Sequence, residues 1–179
     1  MSHADAVSAL DLDLNVDKAL SYGQLYHYYN LTLADIAVCE HNYKEVFIAL
    51  SHHSRMFKRV GFITLKPYKR LSANALRHLA GVAELRRQLA ASRDSWCVER
   101  RFSAETPDAL WQSCKGPVAI EFDTGSYSKT VLQKKLSAFS SLRQIWGSPS
   151  PKRVAYLNQL MHLQELDGQA LHVNWAKLL

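Results

Sequence analysis

The chain has 179 residues, of which 47% are hydrophobic and 21% charged, with a formal net charge of +6 and an isoelectric point of about 9.3. This composition supplies a real core for one medium domain, or for one small and one medium domain. The three cysteines are odd in number and far apart, which argues against a disulfide framework and against a zinc knuckle. The positive charge favours an anionic partner, most commonly nucleic acid, although many soluble proteins are modestly basic without one.

No targeting or membrane segment is recognisable. The N-terminus has early acidic residues and lacks the basic region and apolar run of a signal peptide. No apolar stretch approaches the roughly 18 residues that a membrane span requires. We therefore expect a cytoplasmic protein without a membrane partner.

The N-terminal third contains helical patterns and one strand pattern. Residues 1–15 are small and polar, which predicts a flexible arm. The elements predicted after this arm are a helix over residues 16–30, a short helix over 33–39 that Thr32 caps, a helix over 43–58 that Gly61 ends, and a strand with a basic tail over 62–70.

Three short helices followed by a β-wing are typical of a winged helix, so residues 16–70 are predicted to form a winged-helix-like DNA-binding segment. The predicted DNA contacts are His52, His53, Arg55 and Lys58 on the third helix, and Lys66, Lys69 and Arg70 in the wing. The alternative is a small helical cap with a solvated basic face.

The rest of the chain predicts an α/β domain over residues 71–179. Ser72 caps a long helix over residues 73–92. Arg86 and Arg87 on this helix, and Arg93 directly after it, lie opposite or beside the apolar stripe. The later elements are strands over 95–103, 109–114 and 118–123, a helix over 128–142, a strand over 143–147, a helix that starts at Pro151, and a strand over 169–176. The predicted order is αβββαβαβ.

Carboxylates and lysines are concentrated at one strand-to-helix junction of this domain. Asp108 begins one strand, and Glu121 and Asp123 lie two apart near the end of the next, so their side chains share a face. Clustered carboxylates repel one another unless a cation such as Mg²⁺ neutralises them, which makes the three acids candidate metal ligands. The following helix carries Lys129, Lys134 and Lys135 toward the same end, where a lysine could neutralise charge on a phosphodiester.

The αβββαβ order with these acids resembles the PD-(D/E)xK nuclease superfamily. More narrowly, it resembles the replication-relaxation proteins of plasmids and other mobile elements, which join a winged helix to a nuclease-like domain. The resemblance covers roughly residues 62–173, and the matching segments are residues 78–89, 107–110, 120–125, 135–139 and 148–157. It implies an α+β fold with a mixed central sheet.

The resemblance also implies roles for individual residues. Glu84 would be the acid of the first helix, Lys135 the helix-borne lysine and Arg153 a DNA-binding residue. Asp108, Glu121 and Asp123 would lie next to the metal and, if the protein cuts DNA, would be catalytic together with Lys135 and Glu84. The superfamily pattern has lysine two residues after the glutamate, and Asp123 occupies that position here. This departure favours holding DNA over cutting it.

Several structural roles remain open beside these readings. Asp108 could be a turn residue, and Glu121 and Asp123 could cap the next helix. Lys134 and Lys135 could be solvated, and Glu84 could pair on the helix surface with Arg87 or Gln88.

The first hypothesis for function is a non-catalytic double-stranded DNA-binding protein of a bacterial mobile element, acting in replication, transfer or its regulation and requiring no cofactor. The alternatives are a Mg²⁺-dependent DNA endonuclease and an accessory factor that recruits proteins of a replication or transfer complex. The sequence leaves a homodimer open.

Overall fold

The computed structural model of the chain describes residues 2–36, 41–49, 57–68, 70–98 and 106–176. This described part is a mixed α and β structure. Its helices are α1 (His3–Asp17), α2 (Tyr22–Tyr29), α3 (Leu33–Ile36), α4 (Ala73–Gln88), α5 (Lys129–Ala138) and α6 (Pro151–Leu163). Its strands are β1 (Ala19–Ser21), β2 (His41–Ala49), β3 (Phe57–Leu65), β4 (Trp96–Val98), β5 (Ala109–Ser113), β6 (Gly116–Phe122), β7 (Arg143–Ser148) and β8 (Gly168–His172).

The predicted flexible arm is wrong, because these residues form helix α1. Ser2 caps the helix, with its side chain accepting from the Asp5 backbone while the Asp5 side chain accepts from the Ser2 backbone. Leu10 and Leu14 are fully buried in a core cluster with residues of α2. The helix predicted over residues 16–30 is shorter in the structure. Helix α1 ends inside this range, strand β1 follows, and only α2 corresponds to the predicted helix.

The predicted third helix over residues 43–58 is also wrong, because its described residues belong to two antiparallel strands. Strands β2 and β3 pair continuously from His41 opposite Leu65 to Ala49 opposite Phe57, and β1 pairs with the other side of β3. Gly61 therefore lies within a strand, where the Tyr43 ring occupies the space that a Cβ would need. Apolar residues that were read with a helical period in fact alternate between two sheet faces.

Helix α4 lies between the two sheets and contributes to one continuous core. Its Leu76, Leu79, Val82 and Leu85 are in the same buried cluster as residues of β3 and of β5 to β7. At Gly81 the Phe122 ring fills the place of a side chain, so the helix approaches β6 closely. The core thus continues across the predicted boundary between residues 70 and 71.

The predicted order αβββαβαβ is confirmed from α4 to β8. The second sheet has the strand order β4-β5-β6-β7-β8, antiparallel from β4 to β6 and parallel from β6 to β8. Residues of α5 and α6 pack with Trp146 and Ala170 in a separate cluster, on the sheet face opposite α4. The carboxyl ends of β6 and β7 therefore meet the start of α5 and of α6 at one edge.

Buried ion pairs join α1 to α4. Arg86 donates from Nε to Asp17 Oδ1 at 2.8 Å and from Nη2 to Asp13 Oδ1 at 2.7 Å. Arg87 and Arg93 also donate to Asp13, at 3.1 and 2.7 Å. Asp13 and Asp17 of α1 thus face inward, and the three arginines anchor α1 through them. In the described part of the chain, no helix combines the length and apolar character that a membrane crossing needs.

Candidate functional site

Antiparallel pairing of β5 and β6 brings two carboxylates to the same end of the second sheet. Ala109 lies opposite Ile120, so Asp108 lies beside the last residues of β6. Asp108 Oδ2 accepts from the Phe122 backbone N–H at 2.8 Å, which ties the start of β5 to the end of β6. Asp108, Glu121 and Asp123 are all fully buried.

Glu121 forms an ion pair with Lys135 of α5. The Lys135 ammonium donates to Oε1 at 2.7 Å and to Oε2 at 2.9 Å, and the lysine itself is 4% exposed. Burial, together with the nearby Asp108 carboxylate, raises the pKa of Glu121 well above its usual value, by more than Lys135 lowers it. The alternative in which Lys135 is a solvated helix residue is therefore wrong.

Asp123 pairs with Arg153 of α6 instead of joining the other two acids. Arg153 Nε donates to Asp123 Oδ2 at 2.5 Å, and Nη2 donates to the Tyr127 carbonyl at 2.8 Å. Asp123 Oδ1 accepts from the Gly125 backbone N–H at 2.8 Å, which closes a turn after β6. Ser128, not Asp123, is the N-cap of α5. Arg153 therefore has a structural partner, although it was predicted to contact DNA.

His78 and Tyr127 complete the environment of Asp108. His78 Nδ1 lies 3.2 Å from Asp108 Oδ2. The Lys135 ammonium lies 5.4 Å from the centroid of the Tyr127 ring, and burial with the three nearby carboxylates raises the pKa of Tyr127. Asp108 Oδ1 is buried and has no hydrogen-bond partner among the described residues.

Glu84 lies at a different contact from the other predicted site residues. Its Oε2 accepts from Gln24 at 2.9 Å and its Oε1 accepts from Tyr28 at 2.7 Å, so it joins α4 to α2. Residues 78 and 84 are about 120° apart around a helix of 3.6 residues per turn. The helix therefore presents His78, and not Glu84, to Asp108, and this helical phase was readable in the sequence.

The predicted DNA-binding residues are dispersed over the described surface. Lys58 is exposed on β3, Lys66 and Arg70 are exposed after it, and Lys129 and Lys134 are exposed on α5. Residues 52, 53, 55 and 69, which are His52, His53, Arg55 and Lys69, lie outside the described residues. The described set does not form one cluster around the carboxylates.

The carboxylates do not fit a preformed Mg²⁺ site. Both oxygens of Glu121 accept from Lys135, and both oxygens of Asp123 accept from protein donors. Only Asp108 Oδ1 is left without a donor in the described part of the chain. Among those residues, no group of three or more His, Cys, Asp or Glu side chains is arranged to hold a metal ion. Cations of the chain itself thus occupy the positions where metal ligation was predicted.

Sequence reasoning missed His78, Tyr127 and Arg77 as neighbours of these acids. Arg77 donates to Asn74 at 2.7 Å and to the Thr124 hydroxyl at 3.3 Å, beside the turn that follows β6. Arg77 and His78 could have been found from the apolar stripe of α4, because the side of the helix that faces the core also faces β6. Tyr127 carries no local signal, since its position depends on the fold of the loop.

The raised pKa of Glu121 predicts how stability depends on pH. Above pH 4.5 a glutamate of the unfolded chain ionises, while folded Glu121 retains its proton until its higher pKa is reached. Glu121 therefore makes its full contribution to the free energy of unfolding below pH 4.5, and this contribution is lost as the pH rises through the pKa of Glu121 in the folded state. Relative to Glu121→Gln, we expect the wild type to lose up to roughly 1.4 kcal/mol per pH unit in that interval.

Urea denaturation of both proteins between about pH 4 and pH 8 measures this difference. Glu165→Gln changes an exposed glutamate and is the matched control, and its pH profile is expected to parallel that of the wild type. A constant difference between the wild type and Glu121→Gln at every pH would contradict the raised pKa.

The chain was compared with protein-family models, with curated proteins and with solved structures, and no match was found in any of the three comparisons.

Proposed function

We propose that the chain is a double-stranded DNA-binding protein whose nuclease-like domain holds DNA without cutting it. The observation that carries the DNA-binding proposal is the N-terminal arrangement: helices α1, α2 and α3, the hairpin of β2 and β3, and the sheet order β1-β3-β2. Three helices followed by an antiparallel hairpin are typical of a winged helix, and this order supports the proposal. In this proposal α3 is the third helix, and the hairpin of β2 and β3 is the wing.

Charge supports the same proposal. The net charge is +6, and the stretch over residues 46–59 contains two histidines and three Lys or Arg but no Asp or Glu. Lys58 is exposed within it, and Arg70 is exposed just after β3. These residues suit a phosphate backbone, which attracts cations regardless of base sequence.

The second part of the proposal concerns the nuclease-like domain. Its element order and its mixed sheet agree with what the resemblance to PD-(D/E)xK proteins implies. The pairing of Glu121 with Lys135 and of Asp123 with Arg153 favours a scaffold that does not cut DNA. The assignment to the replication-relaxation family of mobile elements, with a role in replication or transfer, rests on the resemblance and is part of the proposal.

Binding to a labelled DNA duplex, measured by fluorescence anisotropy, tests the first part. If at least four phosphates are contacted, affinity is expected to fall about 100-fold or more between about 50 and about 200 mM salt, because bound counterions are released. Lys58→Gln with Arg70→Gln is expected to weaken binding and to reduce the salt slope by about 2. Lys115→Gln with Lys152→Gln, which changes two exposed lysines in the turn before β6 and at the start of α6, is the charge-matched control. Binding that is absent, or that does not respond to salt, would contradict the proposal.

A Mg²⁺-dependent endonuclease is the second candidate. It is favoured by Asp108 Oδ1, which has no hydrogen-bond partner in the described part of the chain and belongs to a carboxylate beside Glu121 and Lys135. Incubation of supercoiled plasmid with Mg²⁺ or Mn²⁺ separates the two candidates. We expect intact plasmid, whereas cutting that Glu121→Ala abolishes would establish the endonuclease. Recovery of a protein partner without any DNA binding would instead favour the recruiting factor.

A further inference from the structure

The turn between α6 and β8 contains a chemically reactive pair of residues. Asp167 is the only aspartate of the chain that is followed by glycine, and no asparagine is followed by glycine. In an Asp-Gly pair the main-chain nitrogen of the glycine can attack the side-chain carboxyl carbon of the aspartate, because no Cβ on the glycine obstructs the approach. The product is a five-membered succinimide ring, which opens again with water.

The attacked carboxyl group is accessible in the structure. The Asp167 side chain is 78% exposed, and its ion pair with Arg143 is long, at 3.9 Å. A surface ion pair of this kind contributes little to holding a side chain in one place. The carboxyl carbon is therefore open to attack.

The attacking nitrogen lies outside the pairing of β7 with β8. The Gln144 backbone N–H donates to the Asp167 carbonyl at 2.8 Å, so this carbonyl points toward β7. Backbone groups of successive strand residues point to opposite sides, so the Gly168 N–H points away from β7. Ala170 has the same orientation as Gly168, and its N–H and C=O pair with the Asn158 side chain of α6 and not with β7.

Close packing requires glycine at position 168. A Cβ at this position would lie 2.7 Å from the Gln144 carbonyl oxygen and 2.8 Å from Met161 Sδ. A larger residue after the aspartate would slow the attack, but the approach of β7 and α6 leaves no space for one. The fold thus keeps the reactive pair at the entrance to β8.

We propose that Asp167 isomerises spontaneously to isoaspartate and that this modification loosens β8 from the sheet. The Gly168 nitrogen forms a bond with the Asp167 side-chain carboxyl carbon. A C–O bond of that carboxyl breaks, and its hydroxyl leaves as water with the proton of the nitrogen. Water then adds to the former main-chain carbonyl carbon of Asp167 and breaks the bond from that carbon to the nitrogen. One water is released and one consumed, so no other reactant takes part.

Isomerisation changes the main chain where β8 begins. The chain now runs through the Asp167 side chain and is longer by one methylene, and the carbonyl that accepts from Gln144 becomes a free carboxylate. Gly168 lies too close to Gln144 for the longer chain to fit without displacement. Because β8 contributes Ala170 to the core cluster with Trp146, we expect the displacement to destabilise this cluster.

Incubation of the whole chain in warm, mildly acidic buffer tests the proposal, with peptide mapping by mass spectrometry under fragmentation that distinguishes isoaspartate from aspartate. Isoaspartate is expected to accumulate at Asp167 before any other aspartate, at a rate close to that of the urea-unfolded chain. Asp94 is the internal control, because it is exposed and followed by serine, but lies in the short 3-10 helix Arg93–Ser95. Isoaspartate that forms in the unfolded chain but not in the folded one, or that forms at Asp94 as fast as at Asp167, would overturn the proposal.

Asp167→Glu is the matched variant, because it keeps a carboxylate at this position but would need a six-membered ring. It is expected to remain unmodified and to keep its melting temperature throughout the incubation. The isomerised wild type is expected to melt about 2–4 °C lower or more, as for the loss of one backbone hydrogen bond. An isomerised wild type that melts with the fresh protein would overturn the loosening of β8. DNA binding takes no part in these measurements, so their outcome is independent of the proposed function.

Discussion

Replacement of Arg86 by methionine is expected to lower the free energy of unfolding by about 3–5 kcal/mol, because it removes both hydrogen bonds that Arg86 donates to a buried carboxylate and leaves only the longer ion pair with Arg87. Arg86 donates to both oxygens of Asp17, at 2.8 Å each, and Asp17 is fully buried. Burial raises the pKa of Asp17 by more than Arg86 lowers it. Without the arginine, the ionised form of Asp17 therefore destabilises the folded state further.

Urea denaturation at neutral pH, followed by circular dichroism and by tryptophan fluorescence, measures this loss and tests whether unfolding is two-state. Arg143→Met is the matched control, because Arg143 lies 3.9 Å from Asp167, which is 78% exposed. A surface pair of this kind contributes about 1 kcal/mol or less. Equal losses for the two variants would show that α1 is not anchored through Arg86.

Lys135→Met is the second substitution with a large expected effect, again about 3–5 kcal/mol at pH 8. Both oxygens of buried Glu121 lose their donor in this variant. The loss is expected to be smaller at pH 5, because protonation of Glu121 removes the unpaired charge, and the raised pKa of Glu121 already favours its protonated form.

Two further variants show whether this loss comes from the ion pair. Lys134→Met changes the adjacent, exposed lysine and is expected to alter stability by less than about 0.5 kcal/mol. Glu121→Met/Lys135→Met replaces the buried pair by apolar side chains and is expected to recover most of the loss. Failure of the double variant to recover would mean that the Lys135 stem, rather than its charge, holds α5 on the sheet.

Secondary structure was predicted more accurately from α4 onward than in the N-terminal half of the chain, for a physical reason. From α4 onward, each strand is a short apolar run, and Ser72, Ser128 and Pro151 mark helix starts, so local signals were sufficient. In the N-terminal half, the small and polar residues of α1 were predicted to form a flexible arm, and the hairpin residues satisfied a helical spacing as well as a strand spacing. Short apolar runs are ambiguous between helix and strand until a partner strand is known.

The candidate site was predictable in its position but not in its pairing. Asp108, Glu121 and Lys135 were expected at one strand-to-helix junction, and β5, β6 and α5 bring them there. Asp123 instead forms an ion pair with Arg153, which is 30 residues away in the sequence. Glu84 accepts a hydrogen bond from α2, about 60 residues away in the sequence. No local pattern specifies such partners.

The amino-acid sequence by itself determined the order αβββαβαβ and the end of the sheet at which acids and lysines gather, because hydrophobic period and helix caps act over a few residues. The tertiary structure decided which cation neutralises which carboxylate, that Asp13 and Asp17 face Arg86 from 73 and 69 residues away, and that Phe47 and Phe57 remain uncovered. A charged or aromatic side chain has the same local pattern whether it is solvated or buried. Only the folded chain, which brings distant partners together or leaves a face open, distinguishes the two.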